Sequence, residues 1–486
     1  MVDASAELID LLRSHIEWLA LYENGRTFPL LRDEIDVEAA GEKLFLSLPA
    51  EKGSRSWRIT HISVEGGSAT LSVSGRFGAG AETLRLVPRT SAAELAMEVE
   101  LARLSRANEI ARTIVDSFPM FRIVRVALND RNGRIANIII GSAGSAQTGV
   151  IADVTNSLRA ETLMATAFLW RDRLNERRKR PIEDIWIAAG KKQARALRRL
   201  HALLARPARS CLSIMEMTGT GVTALDEWTI SSLWRERPKR LSIPSEVPRS
   251  KTVPRVIDLE PAKIDVVRSK NAETLRFRGL PFARVRTLMG KEQAWFGVGK
   301  SRRPLVPDSR NDLVELIREV SAFRRHDTPN PRHAFYRASP ELWLESILKR
   351  DISRLDPNLI LSPVYNQFRS SSGKIDLLAL RKDGRLVIIE LKAAPDREMV
   401  FQAADYWRKI ELQRRKGILA KARLFGELEI RDAPALVYAV APALSFHHRF
   451  EYFARKIAPE IELWRFELHE DWRREINVVG RVSYAN

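Results

Sequence analysis

The stretch from Gly373 to Lys392, GKIDLLALRKDGRLVIIELK, constrains the fold of this chain more than any other. Two apolar runs, LLAL and LVII, flank a Lys-Asp-Gly turn, and Asp-Gly readily adopts the positive φ angles of a tight hairpin. Asp376 opens the first predicted strand, while Glu390 and Lys392 close the second, two residues apart and therefore on one face. The stretch predicts a β-hairpin that gathers two acids and an amine at one end.

The charge of the chain is unevenly distributed. Lys plus Arg exceed Asp plus Glu by 80 − 61 = 19 over 486 residues. From Arg235 to Arg303 there are 18 basic and 7 acidic residues, so this segment alone carries +11. Such a concentration predicts a polyanionic partner, nucleic acid first and an anionic membrane surface second. A solvated, arginine-rich surface is the plain alternative.

Cysteine usage and hydropathy exclude several classes of protein. The single cysteine, Cys211, excludes an intramolecular disulfide and a cysteine-based zinc site, and its apolar setting predicts a buried thiol. The first 25 residues predict an amphipathic helix rather than a secretion signal. No run of 18 apolar residues occurs, so we expect no membrane span and a cytoplasmic, reducing location.

Hydrophobic periodicity and turn residues divide the chain into four parts. We expect an N-terminal helix with a small β-meander in residues 1–91, an α/β domain in 92–220, a basic Pro-rich linker with a small β-unit in 221–310, and a second α/β domain in 311–486. In the β-unit, Arg276 and Arg278 are predicted to share one strand face, and with Arg284 and Arg286 they could face phosphates. An ordinary amphipathic strand is the alternative.

The two α/β parts share an element order and a register. Placing Asp153 on Glu390 also places Trp170 on Trp407, because each tryptophan lies 17 residues downstream, and it sets VIADVT against VIIELK. We interpret this as an internal duplication with a degenerate first copy. In that copy the positions that could carry chemistry are replaced: Ala136 or Asn137 for Asp376, Thr155 for Lys392, Ala165 for Gln402 and Leu169 for Tyr406. Two unrelated α/β units remain the alternative.

The hairpin, followed by FQAADYW, resembles the PD-(D/E)xK nuclease superfamily over about residues 335 to 470. The spacing of Gln402 and Tyr406 is similar to the QxxxY element of its RecB-type and NucS-type members, and Glu345 matches the acid that often precedes the hairpin. Ile375 stands where the namesake proline would be. The resemblance implies a restriction-endonuclease-like mixed sheet flanked by helices, and a Mg²⁺-dependent hydrolase that cleaves DNA and leaves a 5′-phosphate.

Phosphodiester hydrolysis explains these residue types. The reaction needs an activated water and neutralisation of charge on the phosphoryl oxygens, which Mg²⁺, or Mn²⁺ in its place, supplies when hard oxygen ligands hold it. We expect Asp376 and Glu390 to bind the ion directly, with the backbone carbonyl of Leu391, and Glu345 to act through a bound water or a second ion. Lys392, beside two carboxylates, should stay charged and orient the water or stabilise developing charge.

Other residues are assigned less directly. The resemblance implies that Gln402 and Tyr406 orient the lysine or contact a neighbouring phosphate; a satisfied helix face is the alternative. Arg408 and Lys409 could continue a phosphate track, or be solvated charges. The expected partner is DNA rather than RNA, in repair or defence, and a homodimer is left open. The rival readings are a non-catalytic nucleic-acid-binding or scaffold protein and a nuclease regulated by a small ligand.

Overall fold

The structure is a computed structural model of the chain. It describes residues 2–23, 25–40, 43–50, 53–75, 81–89, 92–130, 133–142, 147–176, 182, 184–219, 221–238, 250–269, 272–288, 291–299, 302–361, 369–370 and 373–484. The chain divides into two compact units, Met1–Arg198 with Ser210–Glu227 and Arg199–Arg209 with Trp228–Asn486. None of the helices in these described ranges has the length and apolar content that a membrane span requires.

The first unit begins with a helix packed on an antiparallel sheet. Its elements are α1 (Val2–Arg13), β1 (Glu17–Tyr22), β2 (Thr27–Leu31), β3 (Asp36–Ala40), β4 (Lys43–Ala50), β5 (Gly53–Glu65), β6 (Ser68–Gly75) and β7 (Ala81–Pro88). The strand order is β2-β1-β7-β6-β5-β4-β3. The helix predicted over the first 25 residues is therefore too long. It ends at Arg13, because Trp18 and Ala20 alternate into the core from a strand that pairs with β2 and β7.

The first unit also contains a mixed sheet. Its elements are α2 (Ala92–Ser117), β8 (Phe121–Leu128), β9 (Ile135–Ser142), β10 (Gln147–Asp153), α3 (Ala160–Glu176), β11 (Ile185–Gly190), α4 (Lys191–His201), α5 (Arg206–Arg209), β12 (Leu212–Thr218) and β13 (Gly221–Ala224). The strand order is β13-β12-β11-β10-β9-β8. The end of α4 and all of α5 are counted with the second unit. Cys211 is buried, as its apolar setting predicted.

The second unit opens with a small β-unit. Its elements are α6 (Ile230–Leu233), α7 (Thr252–Ile257), β14 (Ile264–Ser269), β15 (Ala272–Phe277), β16 (Leu280–Leu288), β17 (Lys291–Phe296), β18 (Arg303–Pro304), α8 (Arg310–Phe323), α9 (Ala334–Arg337) and α10 (Pro340–Arg350). The five strands β14 to β18 form an antiparallel meander in sequence order. Leu275, Phe277 and Phe282 of the meander share one core with Leu313 and Ile317 of α8. The meander and α8 therefore fold around common apolar side chains.

The remaining elements form a second mixed sheet. They are β19 (Leu359–Leu361), β20 (Arg369–Ser370), β21 (Gly373–Lys374), β22 (Leu377–Arg381), β23 (Leu386–Leu391), α11 (Met399–Arg415), α12 (Ile418–Lys421), β24 (Leu436–Pro442), α13 (Phe450–Ala454), β25 (Leu463–Leu468) and β26 (Val478–Ser483). The strand order is β19-β22-β23-β24-β25-β26, and β20 pairs with β21 separately. Strands β22, β23 and β24 are almost entirely buried, as the central strands of a sheet covered on both faces should be.

The two mixed sheets share one pattern of strand directions. Read from β8 or from β19, the first two pairings are antiparallel, the next two parallel and the last antiparallel. Helix α3 packs on β10 and β11, as α11 packs on β23 and β24. Asp153 pairs with Ile135, and the pairing of Leu377 with Ile389 sets Asp376 opposite Glu390. Ile135, rather than Ala136 or Asn137, therefore occupies the position of Asp376.

Candidate active site

The predicted hairpin is confirmed, and it lies at the centre of the second mixed sheet. Gly384 has φ +83°, its N–H donates to the Arg381 carbonyl at 2.8 Å, and the turn closes where the Arg381 N–H donates to the Arg385 carbonyl at 2.8 Å. The strands it joins are neighbours, while β23 pairs in parallel with β24 on its other side. Asp376 and Glu390 thus meet at the end of the hairpin remote from the turn.

The two acids of the hairpin differ in how well their oxygens are satisfied. Asp376 is partly exposed, and its Oδ2 accepts a hydrogen bond from the Leu391 N–H at 2.9 Å. Glu390 is only 2% exposed, and its Oε2 has no hydrogen-bond partner in the described part of the chain. Burial raises the pKa of Glu390 well above its ordinary value, and the nearby Asp376 raises it further, against the opposing effect of Lys392. Without a further cation, the ionised form of Glu390 is therefore disfavoured.

Lys392 bridges carboxylates on its own strand end and on the following loop. Its Nζ lies 3.2 Å from Oε1 of Glu390 and 3.1 Å from Oδ2 of Asp396, and the residue is 8% exposed. Burial by itself would lower the pKa of Lys392, but Glu390, Glu341 and Asp396 outweigh it, so the net shift is upward. The lysine is therefore an ammonium at neutral pH, as predicted, and is unsuited to act as a base.

Helix α10 carries two glutamates one turn apart, and the structure places them differently. Glu341 is exposed as a residue, but its carboxyl end is turned inward, where it accepts a hydrogen bond from the Ala393 N–H beside Lys392. This local burial raises the pKa of Glu341, against the effects of Lys392 and the Ala393 N–H. Glu345, the acid matched from sequence, is 1% exposed and lies 3.6 Å from Arg276 and 3.4 Å from Lys349.

Glu341 is thus a site residue that sequence reasoning missed. Residues four apart lie on the same face of a helix, so the pattern that selected Glu345 applied equally to Glu341. The signal that separates them is the cation beside each carboxylate: Lys392 for Glu341, and Arg276 with Lys349 for Glu345. Arg276 reaches Glu345 from a distant strand, and Lys349 reaches it from the next turn of the same helix. A sequence motif encodes neither contact.

Gln402 and Tyr406 lie one turn apart on α11 and are 3% and 5% exposed. The helix is held against the sheet in part by Trp407, whose Nε1 donates to the Ala435 carbonyl at 3.0 Å. The ammonium of Lys409 lies 5.0 Å from the centroid of the Tyr406 ring. The two residues are therefore buried on the helix that covers β23, the strand that carries Glu390, and its parallel neighbour β24.

The structure directs most of the predicted phosphate-binding cations inward. Arg276 is 7% exposed and pairs with Glu345. Arg278 does not share a strand face with it: Arg278 lies in the turn after β15, with φ +43°, and donates to the Arg324 carbonyl at 2.8 Å. This corrects the predicted strand. Arg284 is partly buried, and Arg286 is exposed.

The basic residues of α11 are likewise engaged. Arg408 is 7% exposed and lies 2.8 Å from Asp405 and 3.1 Å from Glu236, and Lys409 lies 2.6 Å from Asp405. The pKa of Asp405 is lowered, because these two cations outweigh the upward effect of its burial. Arg408 and Lys409 therefore neutralise a buried acid instead of forming a free cationic track.

Asp153 of the first unit, which the sequence alignment sets against Glu390, has protein donors on both of its oxygens. Asp153 is 1% exposed, and its Oδ1 accepts from the N–H and hydroxyl of Thr155 at 2.9 and 2.8 Å. Its Oδ2 accepts from the Leu158 N–H at 2.7 Å and from Gln193 Nε2 at 3.2 Å. Both oxygens are therefore occupied by protein donors, whereas one oxygen of Glu390 is not.

The donor set at Asp376 and Glu390 fits a hard divalent cation. Two carboxylates face each other with the backbone of Leu391 beside them, and an ionised, buried oxygen without a donor is strongly destabilising unless a cation or proton meets it. Across the ranges that the structure describes, no three His, Cys, Asp or Glu side chains gather closely enough to hold a metal ion. Neither Glu341 nor Glu345 therefore joins Asp376 and Glu390 in a three-acid cluster.

Comparison with known proteins adds little to this geometry. No protein-family model matches the chain, and no curated protein matches it. Among solved structures, the chain is similar to one described as "Structure of EndoMS in apo form", with 13% sequence identity and a TM-score of 0.13. The match covers 38% of this chain and 84% of that one. A TM-score of 0.13 establishes neither a shared fold nor a shared function.

Proposed function

We propose that this protein is a metal-dependent nuclease that hydrolyses phosphodiester bonds in DNA, with RNA a less favoured substrate. The observation that carries the proposal is the Asp376–Glu390 pair. The two acids are held opposite each other across a buried hairpin, one of them with a buried oxygen that meets no donor from the described ranges, and a charged lysine lies beside them. Among the described residues, the matching position in the first unit keeps an acid whose oxygens are both occupied.

In this proposal Asp376, Glu390 and the Leu391 carbonyl hold Mg²⁺, for which Mn²⁺ can substitute. The ion would supply Lewis acidity and positive charge beside the phosphate. Lys392 keeps its proton, so it donates hydrogen bonds and offsets developing negative charge rather than removing a proton. Gln402 and Tyr406 orient the lysine or contact an adjacent phosphate. Glu341, which faces Lys392, helps to hold the ammonium in place.

DNA binding is proposed to use exposed cations. Arg276, Arg278, Arg408 and Lys409 are committed to internal partners, which leaves Arg286 of the predicted set exposed. Helix α4 offers a stronger candidate surface. Its first two turns carry cations that are exposed and form no ion pair with any described residue: Lys191, Lys192 and Arg195. Cations at a helix N-terminus oppose the helix dipole, and bound phosphates would relieve that repulsion.

We further propose that both mixed sheets descend from one restriction-endonuclease-like domain by duplication. Their common strand order, strand directions and helix placement support this. The chemistry then survives in the second copy alone, while the first keeps the scaffold. A cytoplasmic protein is consistent with its single, buried cysteine.

The proposal is tested with 5′-labelled single-stranded, duplex, flapped and circular DNA, incubated with and without Mg²⁺. Wild-type protein should cleave at least one of these in Mg²⁺ and none in EDTA. Asp376→Asn and Lys392→Met should reduce the rate by a factor on the order of 10² or more, since each removes a group that acts in the transition state. Both variants should still bind DNA.

Asp383→Asn is the matched control, because Asp383 is a carboxylate on the same hairpin but at its turn. This control should cleave at the wild-type rate. Equal cleavage by wild type, Asp376→Asn and Lys392→Met would refute the proposed site. Metal-independent DNA binding without any cleavage would instead support a non-catalytic nucleic-acid-binding protein.

A further inference from the structure

The small β-unit meets helix α10 through a tight turn. Arg278 and Gly279 connect β15 to β16, with φ values of +43° and +81°, and the flanking residues Phe277 and Leu280 are paired. Two successive positive φ values are typical of a type I′ hairpin turn. Arginine rarely adopts such a conformation, so the surrounding contacts must hold it there.

The turn packs backbone against backbone on the first turn of α10. A Cβ atom added to Gly279 would lie 1.9 Å from the Leu342 carbonyl oxygen and 2.8 Å from the Trp343 nitrogen. These are main-chain atoms of a helix, so they cannot move aside as a flexible side chain could. Glycine is required here both for its positive φ and for the close approach.

Arg324 ties the same turn to the segment that enters α10. It is 0% exposed, and it donates to the carbonyl of Arg278 at 3.1 Å and to three carbonyls just before the helix. Those three belong to Phe335 at 2.7 Å, Ala338 at 2.7 Å and Ser339 at 3.3 Å. Its guanidinium also lies 4.6 Å from the Trp343 ring centroid. One buried side chain thus fixes the turn and the start of α10 together.

A second contact lies one helical turn further along. Arg276 precedes the turn and lies 3.6 Å from Glu345, which also pairs with Lys349. Lys349 lies 3.8 Å from Asp265 of β14. The β-unit therefore contacts α10 at its first turn and again near its middle, which restricts both sliding and rotation of the helix.

The residue between Pro340 and Leu342 is Glu341, the acid that faces the candidate site. Its carboxylate accepts the Ala393 N–H, and Ala393 follows Lys392 directly. Any shift of the Leu342 carbonyl would move Glu341 with it, because the two residues are consecutive in one rigid helix turn. The β-unit and the candidate site are thus connected through a few covalently linked atoms.

We infer that the Arg278–Gly279 turn is a positioning element of the candidate active site. By packing against the backbone of Leu342, the turn holds Glu341 beside Ala393 and Lys392. Arg276 and Gly279 are positioning residues that touch no substrate. This inference rests on the proposed function for its catalytic consequence, while its structural consequence stands independently. The β-unit, for which no role was predicted beyond cationic strands, becomes a part on which the geometry of the site depends.

The structural consequence is tested by hydrogen exchange at Ala393. Gly279→Ala should displace α10 and release the Ala393 N–H, so exchange in a peptide covering that residue should become about tenfold faster, as Glu341→Ala should also make it. Gly299→Ala is a matched control, since Gly299 has φ +70° in the same β-unit but nothing within 4 Å of an added Cβ. It carries the backbone strain without the collision. Equal exchange in the two glycine variants would overturn the inference.

The catalytic consequence is tested with cleavage rates. A displacement of about 1 Å can reduce a rate on the order of 10²-fold, so Gly279→Ala should lose far more activity than Gly299→Ala. In a Glu341→Ala background the loss should largely vanish, because both changes act through one carboxylate. Additive losses would contradict the inference. Arg276→Met is a milder second variant should Gly279→Ala fold poorly, and it should show the same dependence on Glu341. Absence of cleavage in wild type would refute the proposed function, whereas the exchange result would still decide the positioning.

Discussion

Replacing Glu390 by Gln should make the metal-free protein more stable while removing its activity. The residue is 2% exposed, one oxygen meets no donor among the residues that the structure describes, and burial together with Asp376 disfavours the ionised form more strongly than Lys392 favours it. Neutralising the side chain removes the free-energy cost of burying this charge. Lys392 loses one partner in the variant but keeps Asp396 at 3.1 Å.

The size of the effect follows from these contacts. A buried, unsatisfied polar group disfavours folding by about 1–3 kcal/mol, and a charged one by more. At roughly 2 °C in Tm per kcal/mol for a unit of this size, Glu390→Gln should melt about 2–6 °C above wild type in EDTA. Saturating Mg²⁺ should reverse the order, because an ion at about 1,000 times its Kd adds about 4.1 kcal/mol to the protein that binds it.

Calorimetry of both proteins in EDTA and at increasing Mg²⁺ concentrations measures this change in the order of their Tm values. Glu427→Gln is the control, since that glutamate has 90% of its side chain exposed and pairs only with a similarly exposed arginine among the ion pairs described. Its Tm should stay near wild type under every condition. Either of two results would contradict this prediction: a variant that melts below wild type in EDTA, or a wild type that Mg²⁺ does not stabilise.

Three further predictions concern the rest of the chain. Arg324→Lys should destabilise the second unit by about 3 kcal/mol, since an ammonium cannot reach all four carbonyls, while the exposed pair of Arg455 tolerates the same change; equal denaturant midpoints would contradict this. Asp383→Asn should remove stability that is present above the ordinary pKa of 3.8 and lost as the pH falls through the folded pKa of about 2, which the Arg381 side chain lowers by hydrogen bonding. The Tm difference from wild type should therefore close between pH 5 and about pH 2, and a constant difference would be inconsistent with that pKa. Charge reversal of three cations of α4 should reduce the slope of log K for DNA binding against log salt concentration by up to about 2.7, and the residues changed are Lys191, Lys192 and Arg195. Fluorescence anisotropy in EDTA measures this slope, and an unchanged slope would exclude these residues from the DNA-binding surface.

Local patterns predicted the central part of the fold well. The hairpin follows from two apolar runs around Asp-Gly, and strand periodicity alone puts Glu390 and Lys392 on one side of it. The order of the inner helices and strands of both mixed sheets was also predicted from periodicity, whereas the edge strands β13, β19 and β26 were not. The residue opposite Asp153 was predicted to be Ala136 or Asn137, but it is Ile135. Register depends on how the partner strand pairs, which the sequence of one strand does not specify.

Charged residues were predicted less well, because charge does not reveal the partner. Arg276 and Arg408 were predicted to contact phosphates, yet each is buried against an acid from elsewhere in the second unit. Arg278 was assigned to a strand, but Gly279 after it allowed a two-residue turn that ends the strand at Phe277. The N-terminal helix was extended too far, because the strand after it is stabilised by pairing that the local sequence does not contain.

Local sequence patterns were sufficient to predict the hairpin, the adjacency of Asp376, Glu390 and Lys392, and the similarity between the two mixed sheets. These depend on backbone periodicity and turn chemistry, which act over a few residues. That Glu341 rather than Glu345 faces Lys392 depends instead on tertiary contacts. Both glutamates occupy one helix face, and the choice between them is made by the cations of a β-unit and a hairpin brought together from distant parts of the chain.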